Sequence, residues 1–412
     1  MITGPWTTRI SEILAWSTDL AESLDRTEER TPQGDGIAGQ SFQVTVALTD
    51  PAAIARYEST VAAGLSERVN IPVWCQAVPL TAPLASGSTA VAIDTTTGEF
   101  RAASNILIWQ SSTVHEVVEL DAVADAQVTL ADPTTAAYAA GAWVMPCRSG
   151  WCLHASLRRH SGWALADLTL TVAIDDLAAA EGFTADLTHD GLMVLTEPSV
   201  LSGDSLASQS VPDVAIQGNA SGSFAVVPRR PRDASTQSHR WMAVTPQACW
   251  TLRRMFQYLA GRFRSFLVPS WRQDLTVTRA VGMADVAIYV ARRNWSAGWD
   301  PGGWRTRIGL RPVARSLSLT TTAGDPIVTT AGDPIVLAYE PPAIQVATVT
   351  SIDAINATEE RLSLSAAAGW ILDAGETLCW VDQCRLSSDE IRMEWVGPYR
   401  CSVDAGLTRT RS

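Results

Sequence analysis

Chemistry is suggested in this sequence by one glycine run, one histidine–glutamate segment, two cysteine pairs and three carboxylate pairs. GDGIAG, Gly34 to Gly39, has the spacing of a dinucleotide fingerprint. That fingerprint must follow a strand and open a helix, so that the helix N-terminus meets pyrophosphate. Here the glycines follow RTEERTPQ and lead into the alternating run SFQVTVAL, so the spacing predicts a glycine turn. HEVVE, His115 to Glu119, begins like a zinc-protease motif but closes on Glu119, and its alternation predicts a strand, on which i and i+4 lie too far apart for one metal. Cys147/Cys152 and Cys379/Cys384 share a C-x4-C spacing. Neither pair has a matching second pair nearby, and seven scattered cysteines read as free core thiols. Glu28/Glu29, Asp175/Asp176 and Asp389/Glu390 are sequence neighbours, which point to opposite faces of a strand. They read as surface charges; a glycosidase pair assembled from distant strands stays open. No G-x-S-x-G elbow, Walker loop or EF-hand loop occurs. No catalytic, cofactor-binding or metal-binding residue is therefore assigned.

The elements that would position side chains follow one plan, used twice. GLSERVNIPVWCQ, Gly64 to Gln76, and GRFRSFLVPSWRQ, Gly261 to Gln273, share the frame Gly, seven residues, Pro-x-Trp-x-Gln. Each frame follows a predicted amphipathic helix. The first has Thr49 as N-cap, Pro51 in the first turn, Ile54, Tyr57 and Val61 on one face, and Gly64 as C-cap. The second has Thr245, Pro246, then Cys249, Leu252, Phe256 and Leu259. Upstream of each lies a half-buried strand, Ser41 to Leu48 and His239 to Val244; downstream of each, Val-Ala-Ile strands and an Ala-Gly turn lead into a Trp-containing strand.

The expected fold is mainly β (α+β), with internally duplicated strand-helix units each followed by a small β-barrel or sandwich domain. The expected division is 1–70 (first strand-helix unit, ring-forming), 71–150 (first barrel), 151–267 (linking strands and second strand-helix unit), 268–385 (second barrel) and 386–412 (C-terminal strand and tail). Between the units, Leu168 to Ile174 and Gly191 to Pro198 are predicted to supply sheet edges. The tandem octapeptide TTAGDPIV, Thr321 to Val336, reads as a turn-rich surface hairpin.

Each frame's proline holds the chain extended and delivers an indole where helix loop meets barrel. Trp74 and Trp271 are expected to bridge these modules in the core, a ligand-stacking platform being the alternative. Gln76 and Gln273 are placed on the same strand face as their tryptophans, in reach of a backbone group. Arg262 and Arg264, flanking Phe263, suit a subunit contact.

With 412 residues, 46% hydrophobic and 18% charged, the chain can bury a substantial core. A net charge of -12 opposes a nucleic-acid partner, whose phosphates need a basic face. The one basic cluster, Arg229, Arg230, Arg232 and Arg240, sits in a Pro/Ser/Gly-rich stretch without interleaved aromatics and reads as a solvated loop or partner contact. All 31 basic residues are Arg, and Trp occurs 16 times. Both types are enriched at the centres of protein interfaces, which tilts the reading toward assembly. MITGPWTTRIS has neither a basic leader nor an apolar h-region, and no apolar run reaches about 18 residues, so the expectation is a chain kept soluble in a cytoplasm, without membrane insertion.

W-x-x-D-L…R-T-E-E-R-x-P across Trp16 to Pro32, Pro-Val-Trp at Pro72 to Trp74, and the aromatic, Gly-Arg and Phe-x-x-Pro-x-Trp pattern of Phe256 to Trp271 resemble tailed-bacteriophage virion proteins of the distal tail or baseplate group. The resemblance implies a non-enzymatic structural subunit without cofactors, in a virion tail tip assembled in the host cytoplasm. It implies a cyclic homo-oligomer, a hexamer favoured over a trimer, between the tail tube protein and hub or fibre proteins. Arg30 of the R-T-E-E-R stretch joins Trp74, Gln76, Trp271, Gln273, Arg262, Phe263 and Arg264 as an interface or module-junction residue. The chain departs from the family pattern at Gln33 to Gly39, which replace a second Arg and a Pro-Arg. Two rival readings remain: a carbohydrate-binding adhesin or depolymerase, and a subunit of a contractile injection system.

Overall fold

Alternation decides this molecule's architecture. In SFQVTVAL, Phe42, Val44 and Val46 are buried while Ser41, Gln43 and Thr45 face outward, the period of two that a half-covered strand requires. The computed structural model describes residues 10–23, 27–48, 51–63, 68–111, 113–160, 165–177, 182–199, 208–211, 214–218, 224–228, 234–301, 303, 305–310, 315–318, 336–339, 344–369 and 371–410. It is mainly β, as the sequence predicts, and its strand ladders are antiparallel.

The first half opens with β1 (Ile10–Ala15), a hairpin of β2 (Thr18–Glu22) and β3 (Glu28–Pro32), β4 (Gly39–Leu48), α1 (Pro51–Ala63) and β5 (Arg68–Pro72). A 3-10 turn, Trp74–Gln76, leads into a small barrel of β6 (Val78–Pro79), β7 (Ala90–Ala92), β8 (Asn105–Trp109), β9 (His115–Ala124), β10 (Gln127–Leu130) and the start of β11 (Trp143–Arg159). Val91, Ile106, Ile108, Val128 and Val144 fill that barrel. β11 then changes partners, leaving the barrel to pair with β5 and β12 (Ala166–Ile174).

A short hairpin, β13 (Thr188–His189) and β14 (Leu192–Met193), precedes the second half. That half runs through β15 (Ser208–Val211), the hairpin β16 (Val214–Gly218) and β17 (Phe224–Pro228), β18 (Ala234–Ala243), α2 (Pro246–Leu259) and β19 (Phe266–Pro269). Its barrel comprises β20 (Leu275–Thr276), β21 (Ala287–Ala291), the one-turn α3 (Trp295–Gly298), β22 (Arg307–Leu310), then, after a separate two-stranded pair β23 (Arg315–Ser318) and β24 (Val336–Tyr339), β25 (Gln345–Ala354), β26 (Glu359–Leu364) and the start of β27 (Thr377–Leu386). β28 (Glu390–Trp395) and β29 (Cys401–Arg409) complete the chain's described strands.

The two barrels pair in the same register. The displacement along the chain that carries Pro72 to Pro269 carries Val78 to Leu275, Leu84 to Val281 and Val91 to Ile288. Their partners Cys147, Val144, Tyr138 and Val128 move together to Val381, Leu378, Leu372 and Leu362. Even the register shift between Thr129 and Leu130 recurs between Val349 and Ser351.

Both barrels hang from one central sheet, ordered β5-β11-β12-β4-β1-β28-β29-β18-β15. Its inner face, with α2 beneath, buries Ile10, Leu14, Phe42, Leu170, Met393, Trp395, Val403 and Phe256 in the main core. α2 starts as expected: Thr245 Oγ1 accepts the Ala248 N–H at 3.2 Å, and Pro246 occupies the first turn.

Several expectations change. Leu168 to Ile174 is no sheet edge; β12 pairs along its length with β4 and β11 and lies inside the sheet. Gly191 to Pro198 forms only the two-residue β14 plus a bridge from Val194 to Leu267. After 386 there are two strands instead of one. All four expected domain boundaries fall inside strands, β5, β11, β19 and β27, and two of these, β11 and β27, pass from a barrel into the central sheet. Thr49, Gly64, Arg229, Arg230, Arg232 and most of the TTAGDPIV repeat lie outside the described residues, as does the Val61 side chain. GDGIAG is a turn between strands, with Gly34 and Gly36 at φ of 72° and 76°.

Where β11 passes between β12 and β5, Gly150 opposes Ile174 on one side and Val69 on the other. A Cβ there would overlap the Ala173 carbonyl oxygen, which is backbone and cannot rotate away. Gly150→Ala is expected to lower stability by about 1–3 kcal/mol, read as a fall in urea midpoint at unchanged slope. An unchanged midpoint would show that the strands separate there without cost.

Candidate functional site

Glu12 lies on β1 between Ile10 and Leu14, on the face that enters the core, and is fully buried. A carboxylate there requires partners on both oxygens. One oxygen accepts from Arg253 Nε at 2.8 Å and from Gln40 Nε2 at 2.7 Å; the other accepts from Trp395 Nε1 at 3.0 Å. Arg253 projects from the buried face of α2, over the Trp250 ring at 5.0 Å, and donates its Nη1 to Glu99 at 2.7 Å. Glu99 belongs to the first barrel, on the loop before β8, where Arg148 of β11 and Arg101 meet its second oxygen. Burial pulls the Arg148 guanidinium down to about 10; Asp176 draws it back up and Arg253 adds to the fall. It therefore stays cationic at neutral pH. This network joins the N-terminal strand, the first barrel, the helix of the second half and β28 at one point.

The predicted junction residues fall unequally around it. Trp74 is buried in the main core, edge-on to Trp109 with centroids 5.2 Å apart. Gln76 is buried too, and its Oε1 accepts the Glu99 backbone N–H at 2.9 Å, which fixes the loop carrying Glu99. Both sit in the 3-10 turn, not on a shared strand face. Trp271 differs: it adopts a φ of 57° and packs half-buried against Val194, Leu267, Ile344 and Val381, while Gln273 is exposed. The two frames thus agree in strand register but not in the setting of their tryptophans.

Arg262 is engaged inside the chain. It makes a bidentate pair with Asp389, Nε and Nη2 at 3.0 and 2.8 Å from Oδ2, and its backbone N–H donates to Oδ1 at 2.8 Å. Gly261, at a φ of 63° and without a Cβ, leaves room for Asp389. Burial raises the Asp389 carboxyl, but the bonds from Arg262 and Thr18 outweigh it and hold the group below its ordinary range. Arg30 likewise turns inward, donating to the Phe263 carbonyl at 3.0 Å and Ser265 Oγ at 2.9 Å. Glu28, beside it, holds Arg385 through two bonds of 2.8 and 2.9 Å. Arg262 locks the hairpin's base to the end of α2, and Phe263 and Arg264 line a cleft.

That cleft, of about 510 Å³, lies between the glycine turn, the C-terminal end of α2 and Gly182–Phe183. Trp16, Phe183, Tyr258 and Phe263 wall it; Phe183 and Tyr258 are 5.4 Å apart, and the Arg264 guanidinium stacks over Tyr258 at 4.2 Å. Thr18, 5% exposed, lines it with an Oγ1 that has no hydrogen-bond partner. A second cavity of about 20 Å³, room for one water, shares Trp16, Gly36 and Gln257 with it and ends on Gln40, Glu99, Arg101 and Arg253. The aromatic cleft therefore sits directly above the ionic network.

Sequence reasoning missed Glu12, Glu99, Arg148 and Arg253. Glu12 and Arg253 did carry a signal, each being a charge at a position whose period marks it as core-facing. All seven cysteines are free and all but Cys152 are buried, and among the described residues no group of three or more His, Cys, Asp or Glu is placed to hold a metal.

Arg253→Met is expected to destabilise by about 3–5 kcal/mol in urea, because Glu12 loses the guanidinium that pairs with it, and Glu12→Gln in the same chain should recover part of that loss; a near-neutral Arg253→Met would refute the network's role. Asp389 stabilises fully above its ordinary value of 3.8, and that contribution is lost as pH falls through its lowered folded value. Asp389→Asn should therefore flatten the acid limb of stability between about pH 3.8 and the lowered folded value, and an acid limb identical to wild type would contradict the assignment. No protein-family model matches this chain and no curated protein matches it, so its function is argued from this geometry.

Proposed function

We propose that the chain is a structural subunit of a phage tail tip or baseplate, assembling as a cyclic homo-oligomer between the tail tube and the hub or fibres. The observation that carries this reading is the single sheet shared by two halves of matching register. Such a chain offers two quasi-equivalent units with a fixed relation, the kind of building block from which a closed ring grows by repetition. We attribute the matching register to internal duplication of a strand-helix-barrel unit.

The sheet's outer face supports assembly. Residues in cross-strand register share a face, so His154, Thr171, Gln43, Ser11, Glu394, Ser402 and Met242 form one row across seven strands. Parallel rows add Ser156, Thr169 and Thr45 on one side and Ala173, Ser41 and Ile13 on the other. These side chains are mostly short, uncharged apart from Glu394 and His154 when protonated, and half-exposed or exposed, apart from Ser11, which bonds Glu394 at 2.9 Å. Among the described residues no helix covers this face. Because both halves contribute to it, both would face the same neighbour, in place of one unit meeting the tube and the other the hub. The net charge of -12 keeps free subunits apart until docking brings the faces together.

The cleft favours a second reading, a carbohydrate-binding subunit. Stacked aromatic walls with Arg264 and an unpartnered hydroxyl at Thr18 suit the apolar faces and hydroxyls of a sugar better than Trp74, which is buried, or Trp271.

Mass photometry and negative-stain imaging of the purified chain test the first reading, with closed rings of three or more copies as the expected result. Monomers at every concentration, together with antibody label on the capsid of intact virions, would overturn it. Tyr258→Ala tests the second by abolishing retention on host polysaccharide; retention unchanged by the substitution would remove the cleft from consideration.

A further inference from the structure

The sheet contains a junction made inside the chain whose counterpart is left open. At the inner junction, Met393 of β28 pairs on one side with Val403 and on the other with Glu12 of β1. The pairing frame that sets Val46 in the place of Trp241 also sets Leu168, the partner of Val46, in the place of Val403, the partner of Trp241. Leu157, paired with Leu168, therefore occupies the place of Met393. Within the same frame Phe42, opposite Glu12, becomes Gln237, opposite Ser208. Ser208 of β15 thus stands where Glu12 of β1 stands.

The equivalent strands do not meet within one molecule. Among the described residues, β11 beyond Trp151 pairs with β12 alone, and β15 pairs with β18 alone. Among the described residues, both present backbone donors and acceptors along an unpaired edge. The consequence shows in exposure. At the inner junction Arg253 is 1% exposed and Trp395 is buried. At the equivalent positions Glu58 and Arg159 meet as an ion pair in the open, their side chains 46% and 53% exposed. Leu153, the residue skipped in the β11–β12 register, is 66% exposed on the same stretch.

We infer that β15 of one copy pairs antiparallel with the Leu153–Arg159 edge of β11 in a second copy of this chain, in the register Leu157 to Ser208 and Ala155 to Ser210. The intrachain β1–β28 pairing is its template: Met393 to Glu12 and Ile391 to Leu14. The contact is heterologous, head to tail, and each copy extends the sheet of the next. It rests on the ring reading above and supplies the bond that would close the ring.

Ala155→Cys with Ser210→Cys in one chain tests it, since directly opposed residues on paired strands lie within disulfide reach. Mild oxidation of the double variant should give a covalent ladder under denaturing conditions that neither single variant gives. Rings without cross-links would overturn the edge pairing and leave the ring reading standing. Cross-linked open chains without rings would support the pairing and overturn closure, and monomers without cross-links would remove both. Should the variants misfold, amide exchange of the wild-type chain decides. Residues 153–159 and 208–211 are expected to exchange at least tenfold more slowly in the assembly than in dilute monomer, and equal exchange would overturn the pairing.

Discussion

The pairing of β1 with β28 is the constraint on which this structure depends. It joins one of the first described strands to one of the last, and through it two halves become one sheet. Backbone pairing alone would tolerate a slip by two residues, which keeps every side chain on its face. Glu12 removes that freedom. Its carboxylate is buried, so it must sit where Arg253, Gln40 and Trp395 converge, and only one register places it there. A buried ion pair contributes little net stability compared with apolar packing, but its misplacement is costly, which suits it to fixing geometry. Arg253 passes the constraint on to Glu99, and Gln76 holds the Glu99 loop, so the first barrel's position follows from the same point.

From that fixed sheet the rest follows by strands that serve two layers. β11 and β27 each begin in a barrel and finish in the central sheet, so neither barrel can swivel without bending a strand. A buried charge marks the place where each strand changes role: Arg148 on β11 and, in the same register position, Asp382 on β27, paired with Arg409 at 2.7 Å. The two halves thus use opposite charges at matching register positions, each satisfied by its own partners. Rigid coupling of this kind suits a subunit whose task is to transmit position between neighbours.

Much of this was legible in the sequence because it is local. The alternation of Phe42, Val44 and Val46, the Thr245-Pro246 helix start and the glycine turn at Gly34 to Gly39 are each set within a few residues, and each appears as expected. The recurring Pro-x-Trp-x-Gln frame pointed to the right stretches, since Pro72 and Pro269 do share a register. It could not show that the chain turns differently after each proline: Trp74 enters a 3-10 turn, whereas Trp271 takes a positive φ. The intrachain roles of Arg262 and Arg30 were not legible because their partners, Asp389 and the Phe263 carbonyl, lie far away in sequence. The expected domain boundaries cut through strands for the same reason, as a strand that changes partner has no punctuation where it does so. Glu12 and Arg253 were overlooked because a charge in an apolar period is easily taken for an interruption of the pattern.

The claim at the centre of this account is that one chain contributes two equivalent units to a ring. Electron cryomicroscopy of the assembled protein tests it through the rotational power spectrum of the ring, taken with the chain number from its mass. The account predicts a dominant harmonic at twice the number of chains. A dominant harmonic equal to the number of chains, with no power at its double, would contradict it.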